Sequence, residues 1–384
     1  MGRVAINEGV LRWAIDRSGL TQDRLQTKFP KIRQWVTGEK LPTRRQLESL
    51  AKATLTPFGF FFLSEPPEVR LPIPHFRTLG DKTPSSPSPD LIDTVQLMQQ
   101  RQEWLREFLI EEGQEPLPIA WSAQPDAPPV SVADHIRRAL KLNDGWAAQQ
   151  RTWEEALRVL RATMEDAGII VIVNGVVGNN THRKLDPGEF RGFVLVDKYA
   201  PLVFVNGSDA KAAQMFTLAH ELAHVFFGSS AAFDLREMQP ADDPIEQACN
   251  LVAAEFLVPE RELRQIWPYV KDDPEPFQLI ARQFKVSTLV VARRAMDLQL
   301  IQKESFFDFY RAYQRDERER RDAAPPSKGG DFHLIQDMRV GRRFALAVAR
   351  ATKEGTLLYS EAYRLTGLYG KTFDSYVNSL GGWR

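Results

Sequence analysis

The sequence predicts an α+β fold in which a small β-sheet is combined with helices and an all-helical segment stands at each end. Short runs of β-branched and aromatic residues, bounded by Gly, Pro and Asn, lie in the middle of the chain at 168–173, 192–197 and 201–207. On either side, apolar residues recur at the spacing of amphipathic helices. Strands grouped between helical segments are typical of the α+β class.

The N-terminal segment reads as several short helices. Gly38 stands where one helix should end, and Thr43 stands where the next should begin. Prolines then exclude further helix, and Pro and Ser dominate the stretch that follows. We therefore predict an all-helical first domain at residues 1–67 and a linker at 68–90.

The central domain, predicted at residues 91–310, contains the sheet. A long helix and two further amphipathic helices precede the strands, and three helical patterns follow them. Mixed charge at 311–330 indicates a second linker. The remainder, 331–384, reads as a small helical C-terminal domain.

Composition excludes several classes of protein. No apolar run approaches the roughly 18 residues that span a bilayer, and the N-terminus has no apolar core of a secretion signal. Cys249 is the one cysteine, which excludes an intramolecular disulfide. We therefore expect a cytoplasmic protein with no membrane partner.

Charge is balanced over the whole chain, with 50 basic and 50 acidic residues, but not within it. Residues 1–55 hold eleven basic and five acidic residues, an excess of six positive charges. Lys31, Arg33, Arg44 and Arg45 are candidates for contacts with DNA phosphates, which would give non-specific binding. The alternative is a solvated basic face with no ligand.

The stretch "TLAHELAHVFFG" at 217–228 carries the clearest chemical signal. We expect Ser208 or Asp209 to cap the start of its helix and Gly228 to end it. Positions i and i+4 of a helix lie on one face, so His220 and His224 can reach one metal ion. Glu221, between them, can take a proton from a water molecule at that metal. The alternative is an ordinary buried helix with two hydrogen-bonded histidines.

A second helix, "DDPIEQACNLVAAEFLVP", offers a third ligand. Asp243 is suited to the N-cap and Pro244 to the first turn. Glu246 follows, and Asn250, one turn on, could orient a metal ligand through a hydrogen bond. The alternative role for Glu246 is a capping-box contact with the start of its own helix.

These patterns together resemble the ImmA/IrrE metallopeptidases, zincins of prophage and stress regulation. The resemblance spans a strand that ends in Asn, the Phe-Thr-Leu-x-His-Glu-x-x-His motif, and a Glu followed by an Asn-x-x-Ala helix that ends in Leu-x-Pro. The matching positions are Asn206, Phe216, Thr217, Leu218, His220, Glu221, His224, Glu246, Asn250, Ala253 and Pro259.

The resemblance implies a zincin-like core with His220, His224 and Glu246 as metal ligands and Glu221 as general base. It implies Zn²⁺ as the metal, although two His and one Glu also suit Mn²⁺ or Fe²⁺. Cys249 is a departure, since similar proteins usually have Ala there, and we expect it to pack without chemical consequence.

The strand before the motif helix raises a further expectation. Phe204, Val205 and Asn206 could pair with an extended substrate by β-augmentation. The alternative is a plain core strand.

The N-terminal segment resembles the XRE, or lambda-repressor-like, helix-turn-helix family. The stretches "GLTQDRL" and "IRQWVTGEKLPTRRQLESLAKA" carry this likeness. Between Leu25 and Trp35, however, about four residues of the usual turn and recognition helix are missing. We expect either phosphate contacts without base reading or a protein-docking role. Two later helix-turn-helix patterns, at 279–301 and 355–380, read as structural hairpins.

The resemblance implies a metal-dependent endopeptidase that makes a regulatory cleavage in a helix-turn-helix repressor or similar partner, which derepresses stress, phage or mobile-element genes. The alternative is a non-enzymatic regulator that binds DNA or a protein partner and has a structural metal site. A third hypothesis is a protease that is switched on by DNA bound to the basic N-terminus.

Overall fold

The computed structural model describes residues 3–67, 87–229, 231–233, 243–323 and 331–381. The described chain divides into two compact units. Residues 3–67 form the first unit together with 87–96, and the described residues from 97 onward form the second. Among the described residues, no helix is both long enough and apolar enough to cross a membrane.

The first unit is built from four short α-helices and a 3₁₀ turn. Side-chain oxygens of Asn7, Thr21 and Thr43 accept hydrogen bonds from backbone N–H groups at the starts of three of these helices, as N-caps should. The helices are α1 (Glu8–Arg17), α2 (Gln22–Lys28), α3 (Ile32–Val36) and α4 (Arg44–Ala53), and the 3₁₀ turn is Phe58–Phe62.

Helix α3 is only five residues long, and it buries Ile32 and Trp35 against the core of the unit. The short spacing between Leu25 and Trp35 predicts a shortened helix at this position. The exposed cations of this unit include Lys31, Arg33 and Arg45.

The second unit contains thirteen further described α-helices and six strands. Its elements before the motif helix are α5 (Pro89–Glu111, whose first turns belong to the first unit), α6 (Pro129–Ala139), α7 (Trp153–Asp166), β1 (Ile170–Asn174), β2 (Val176–Val177), β3 (Asn180–Lys184), β4 (Gly192–Leu195) and β5 (Leu202–Asn206). The later elements are α8 (Lys211–Phe227), β6 (Ala231–Phe233), α9 (Pro244–Leu257), α10 (Glu260–Val270), α11 (Pro276–Phe284), α12 (Thr288–Asp297) and α13 (Lys303–Ala323). The last are α14 (Phe332–Gln336), a π turn (Asp337–Gly341), α15 (Arg342–Glu354), α16 (Tyr359–Thr366) and α17 (Lys371–Ser379).

The main sheet has the strand order β1-β5-β4-β6. Strand β1 runs parallel to β5, whereas β4 is antiparallel to both β5 and β6. Strands β2 and β3 form a separate antiparallel hairpin.

The position of β5 shows that one prediction is wrong. Phe204, Val205 and Asn206 lie on a central strand that pairs with β1 on one side and β4 on the other. Their backbone groups are already engaged in the ladders, so this strand has no free edge for a substrate. The prediction of substrate pairing failed because a continuous apolar run does not distinguish a central strand from an edge strand.

Both faces of the sheet are covered. Val171, Val173 and Val203 belong to the same core as the apolar side chains of α8. Ile170 and Ile172 point to the other face, since side chains alternate along a strand. A Cβ atom placed on Gly341, in the π turn, would lie 3.3 Å from Cγ2 of Ile170. The π turn therefore packs directly on β1.

The C-terminal helices differ from the predicted separate domain. Helix α13 continues to Ala323, through the first part of the predicted linker. The helices after 331 belong to the same compact unit as the sheet. Buried Arg101, on α5, donates hydrogen bonds to the carbonyl oxygens of Leu365 and Arg339, each at 2.8 Å.

Candidate metal centre

Helix α8 carries the His-Glu-Leu-Ala-His motif through the core of the second unit. Every residue from Gln214 to Phe226 is buried. The helix ends at Gly228, which adopts the left-handed conformation with φ of 77° as the sequence predicts. Its N-cap is Ala210, not Ser208 or Asp209, because the carboxylate of Asp209 pairs with Arg191 instead.

Three ligand atoms converge from two helices. Nε2 of His220 lies 3.1 Å from Nε2 of His224. Oε2 of Glu246 lies 3.1 Å from Nε2 of His220, and Oε1 of Glu246 lies 3.4 Å from Nε2 of His224. One ligand atom from each residue can be chosen so that all lie within 4.8 Å of one another. These donors fit one divalent cation of the kind that binds imidazole and carboxylate.

Helix α9 presents Glu246 to the two histidines. Asp243 caps this helix, accepting a hydrogen bond from the backbone N–H of Ile245 at 2.8 Å, and Pro244 follows it. The Glu246 carboxylate faces the histidines. That geometry favours the ligand role over the capping-box role.

The far end of α9 is fixed by buried charges. The guanidinium of Arg137, on α6, donates to the carbonyl oxygens of Glu255 at 2.6 Å and Phe256 at 3.1 Å. Arg294, on α12, forms an ion pair with the Glu255 side chain. These contacts satisfy carbonyls at the end of the helix and hold α9 against its neighbours.

Asn250 contacts the outer nitrogen of the first histidine. Its Oδ1 lies 3.1 Å from Nδ1 of His220. Because an amide oxygen can only accept, the imidazole hydrogen lies on Nδ1, and Nε2 keeps its lone pair for a metal. The sequence predicts this orienting role for Asn250.

The charge states also suit a metal. Burial, the largest influence, lowers the pKa of His220 to about 4, so its imidazole is neutral at physiological pH. Burial acts to raise the pKa of Glu246, but its contacts with the imidazoles of His220 and His224 outweigh burial and hold the pKa below its ordinary value. Neutral imidazole and ionised carboxylate are the forms that bind a divalent cation.

Glu221 lies beside this cluster with its carboxylate unused. It is fully buried, and among the described residues neither carboxylate oxygen has a hydrogen-bond partner. Burial, and then the charge of Glu246, raise its pKa well above the usual value. A carboxylate in this environment takes up a proton more readily than an exposed one.

Gly192, at the start of β4, belongs to the site, and sequence reasoning missed it. A Cβ atom there would lie 2.5 Å from Cγ2 of Thr217 and 3.3 Å from Oε1 of Glu221. The bare backbone of β4 therefore allows the motif helix to approach closely. A glycine at the start of a strand is common in proteins, so its presence in the sequence does not indicate a functional site.

The remaining predicted residues lie elsewhere or have other contacts. Asn206 donates from Nδ2 to the Phe190 carbonyl at 3.1 Å and accepts from the Ser208 N–H, so it orders the strand end. Cys249 is fully buried in the apolar core, and burial raises the pKa of its thiol. Arg44, in the first unit, pairs with Glu48 at 2.9 Å.

Two family models match parts of the chain. Residues 164–296 match the IrrE N-terminal-like domain, Peptidase_M78. Residues 340–379 match DUF8813, a domain of unknown function. No curated protein sequence matches the chain. The first match runs from the end of α7 to α12 and includes both helices of the metal cluster. Residues 164–296 are thus similar to the IrrE N-terminal-like family of metallopeptidases.

Proposed function

We propose that this protein is a metal-dependent endopeptidase. His220, His224 and Glu246 would hold one divalent cation, with Zn²⁺ as the first choice and Mn²⁺ or Fe²⁺ as alternatives. The observation that carries the proposal is the buried and unpartnered Glu221 carboxylate next to three convergent ligands. A purely structural metal site has no need of such a carboxylate.

The cation, when bound, polarises a peptide carbonyl and lowers the pKa of water. The protein's own groups then perform the proton transfers. Glu221 accepts a proton from the attacking water and passes it to the leaving nitrogen as the C–N bond breaks. Asn250 keeps His220 in the tautomer that binds metal, and Glu246 contributes a negative charge.

The proposed substrate is a DNA-binding repressor of the helix-turn-helix class or a similar partner. One regulatory cleavage would derepress stress, phage or mobile-element genes. The likeness of 164–296 to the IrrE N-terminal-like domain and the repressor-like pattern of the first unit support this choice.

The first unit is proposed to contribute non-specific DNA binding. Lys31, Arg33 and Arg45 have exposed side chains that could contact phosphates, whereas the five-residue α3 offers little length for reading bases. Protein docking is the alternative role for this unit.

The test is to incubate candidate repressors, starting with those encoded next to this gene, with wild type and Glu221→Gln. The variant keeps the shape of the side chain but removes the base. We expect cleavage to fall by about 10²–10⁴-fold while metal content and thermal unfolding stay near those of wild type. Equal cleavage by both proteins would falsify the assignment.

One observation favours the non-enzymatic alternative, namely that His220, Glu221 and His224 are all fully buried. A structural site would still stabilise the fold when metal binds. That hypothesis therefore predicts that metal raises the unfolding temperature while no substrate is cleaved, whereas the proposed enzyme needs the metal for cleavage as well.

A further inference from the structure

The chain contains three helix-turn-helix patterns, and the structure distinguishes them by what their last helix exposes. In the first, α3 has five residues and buries Ile32 and Trp35. In the second, α12 buries half of its ten residues, among them Val291 and Arg294. Neither helix presents a continuous polar face to solvent.

The third pattern, formed by α15, α16 and α17, is different. Four residues, 367–370, join α16 to α17, and Gly367 and Gly370 both have positive φ values, of 69° and 50°. Such a short turn with glycine between two helices is the connection that a helix-turn-helix requires. Helix α17 has nine residues, a length of roughly 13 Å.

The inner face of α17 is firmly anchored. Phe373, Tyr376 and Val377 are buried. The Tyr376 hydroxyl donates to Oδ1 of Asp337 at 3.0 Å, and the Arg342 guanidinium donates to the carbonyl of Leu380 at 2.9 Å. The helix is therefore held in place without using its outer face.

The outer face of α17 is polar and accessible. Its exposed side chains are those of Lys371, Thr372, Asp374, Ser375, Asn378 and Ser379. They offer one cation and a row of hydroxyl, amide and carboxylate groups, which are the groups that read base edges in a major groove. An apolar protein contact would need a different composition.

The preceding helix adds an exposed cation. Arg364, on α16, is exposed, and within the described part of the chain no acidic side chain pairs with Arg364 or Lys371. Nδ2 of Asn179 donates to the Gly367 carbonyl at 3.1 Å, which brings the β2–β3 hairpin beside the turn. Tyr369, in the turn, is 67% exposed and adds a hydroxyl donor.

We propose that residues 342–379 bind double-stranded DNA, with α17 in the major groove. Lys371 and Arg364 contact phosphates, and Ser375 and Asn378 contact base edges. This assigns an activity to the segment that matches a domain of unknown function. The binding needs neither the metal nor proteolysis, so it stands apart from the proposed endopeptidase function.

The test uses the full chain and a pool of 30-base-pair duplexes with randomised centres, from which bound sequences are selected and their affinities measured at several salt concentrations. We expect one sequence to be enriched. Asn378→Ala should reduce the preference at one base pair by about 5- to 100-fold. Lys371→Gln should weaken binding to all duplexes. It should also reduce the slope of the logarithm of affinity against the logarithm of salt concentration by about one.

Matched variants separate this surface from other causes. Lys271→Gln removes an exposed charge at the end of α10 and should leave binding unchanged. Arg33→Gln should affect only the non-specific component. Circular dichroism checks that each variant is folded. The proposal is overturned if no sequence is enriched, or if folded Asn378→Ala and Ser375→Ala select the same sequence with the same affinity.

Discussion

Glu246 could act as a metal ligand or as a helix-capping residue, because it stands in the first turn of α9 and also faces the histidines. We predict that Glu246→Ala lowers the affinity for Zn²⁺ by more than the roughly 10- to 100-fold typical of changes outside the ligand set. Loss of a direct ligand removes both a bond and a compensating charge. Metal content after dialysis and calorimetric titration with Zn²⁺ measure the effect.

Glu155 provides the matched control for that substitution. It occupies the first turn of α7, where its carboxylate accepts from the backbone N–H of Arg151 at 2.9 Å, a true helix-start contact. Glu155→Ala should cost about 1 kcal/mol of stability and leave metal binding unchanged. If Glu246→Ala behaves in the same way, Glu246 is a capping residue and not a ligand.

The close packing of helix α8 against strand β4 depends on Gly192. A Cβ atom there would also lie 2.8 Å from the backbone oxygen of Phe204, which cannot move aside without disturbing the sheet. We predict that Gly192→Ala lowers the free energy of unfolding by about 1–3 kcal/mol, as overpacked core variants do. It should also lower the proposed proteolytic activity, because the same contact borders the Glu221 carboxylate. Urea unfolding and cleavage assays measure the two effects.

The control for this prediction is Gly59→Ala in the 3₁₀ turn of the first unit. A Cβ atom at Gly59 meets nothing within 4 Å. That substitution should leave the free energy of unfolding unchanged or raise it by about 0.4–1 kcal/mol, because alanine restricts the conformations of the unfolded chain. Equal stability of the two variants would show that β4 and α8 are not in tight contact.

The sequence predicted those elements whose signals are local. The cap at Asp243, the stop at Gly228 and the same-face spacing of His220 and His224 each depend on a few neighbouring residues, and the structure has them as predicted. Strand order was not predictable, because β5 has the same apolar composition whether it lies at an edge or in the centre. The contact at Gly192 depends on residues from three separate segments, so no local pattern reveals it.

The C-terminal helices belong to the second unit, and this is the largest difference from the sequence-based prediction of a separate domain. Continuous apolar strands imply that both faces of a sheet are covered, but they do not identify the covering segment. Here the second cover lies far along the chain, where the π turn meets Ile170 and Ile172. Burial lowers the pKa of Arg101 to about 10, so the guanidinium that bridges to these helices remains charged at neutral pH.

This integration predicts that a chain ending at residue 330 loses the folded core around the main sheet. Exposing Ile170 and Ile172 alone forfeits roughly 3–6 kcal/mol, and the two hydrogen bonds from Arg101 to carbonyl oxygens of the removed segment are lost as well. Those losses are comparable with the total stability of an ordinary domain, about 5–15 kcal/mol. Solubility, gel filtration and thermal unfolding by circular dichroism measure the outcome, with a chain ending at residue 381 as control. We expect the shorter chain to aggregate or to melt far below the control. A monomeric truncated chain that unfolds within a few degrees of the control would instead establish residues 331–384 as a separate domain, because the sheet would then be stable without its second cover.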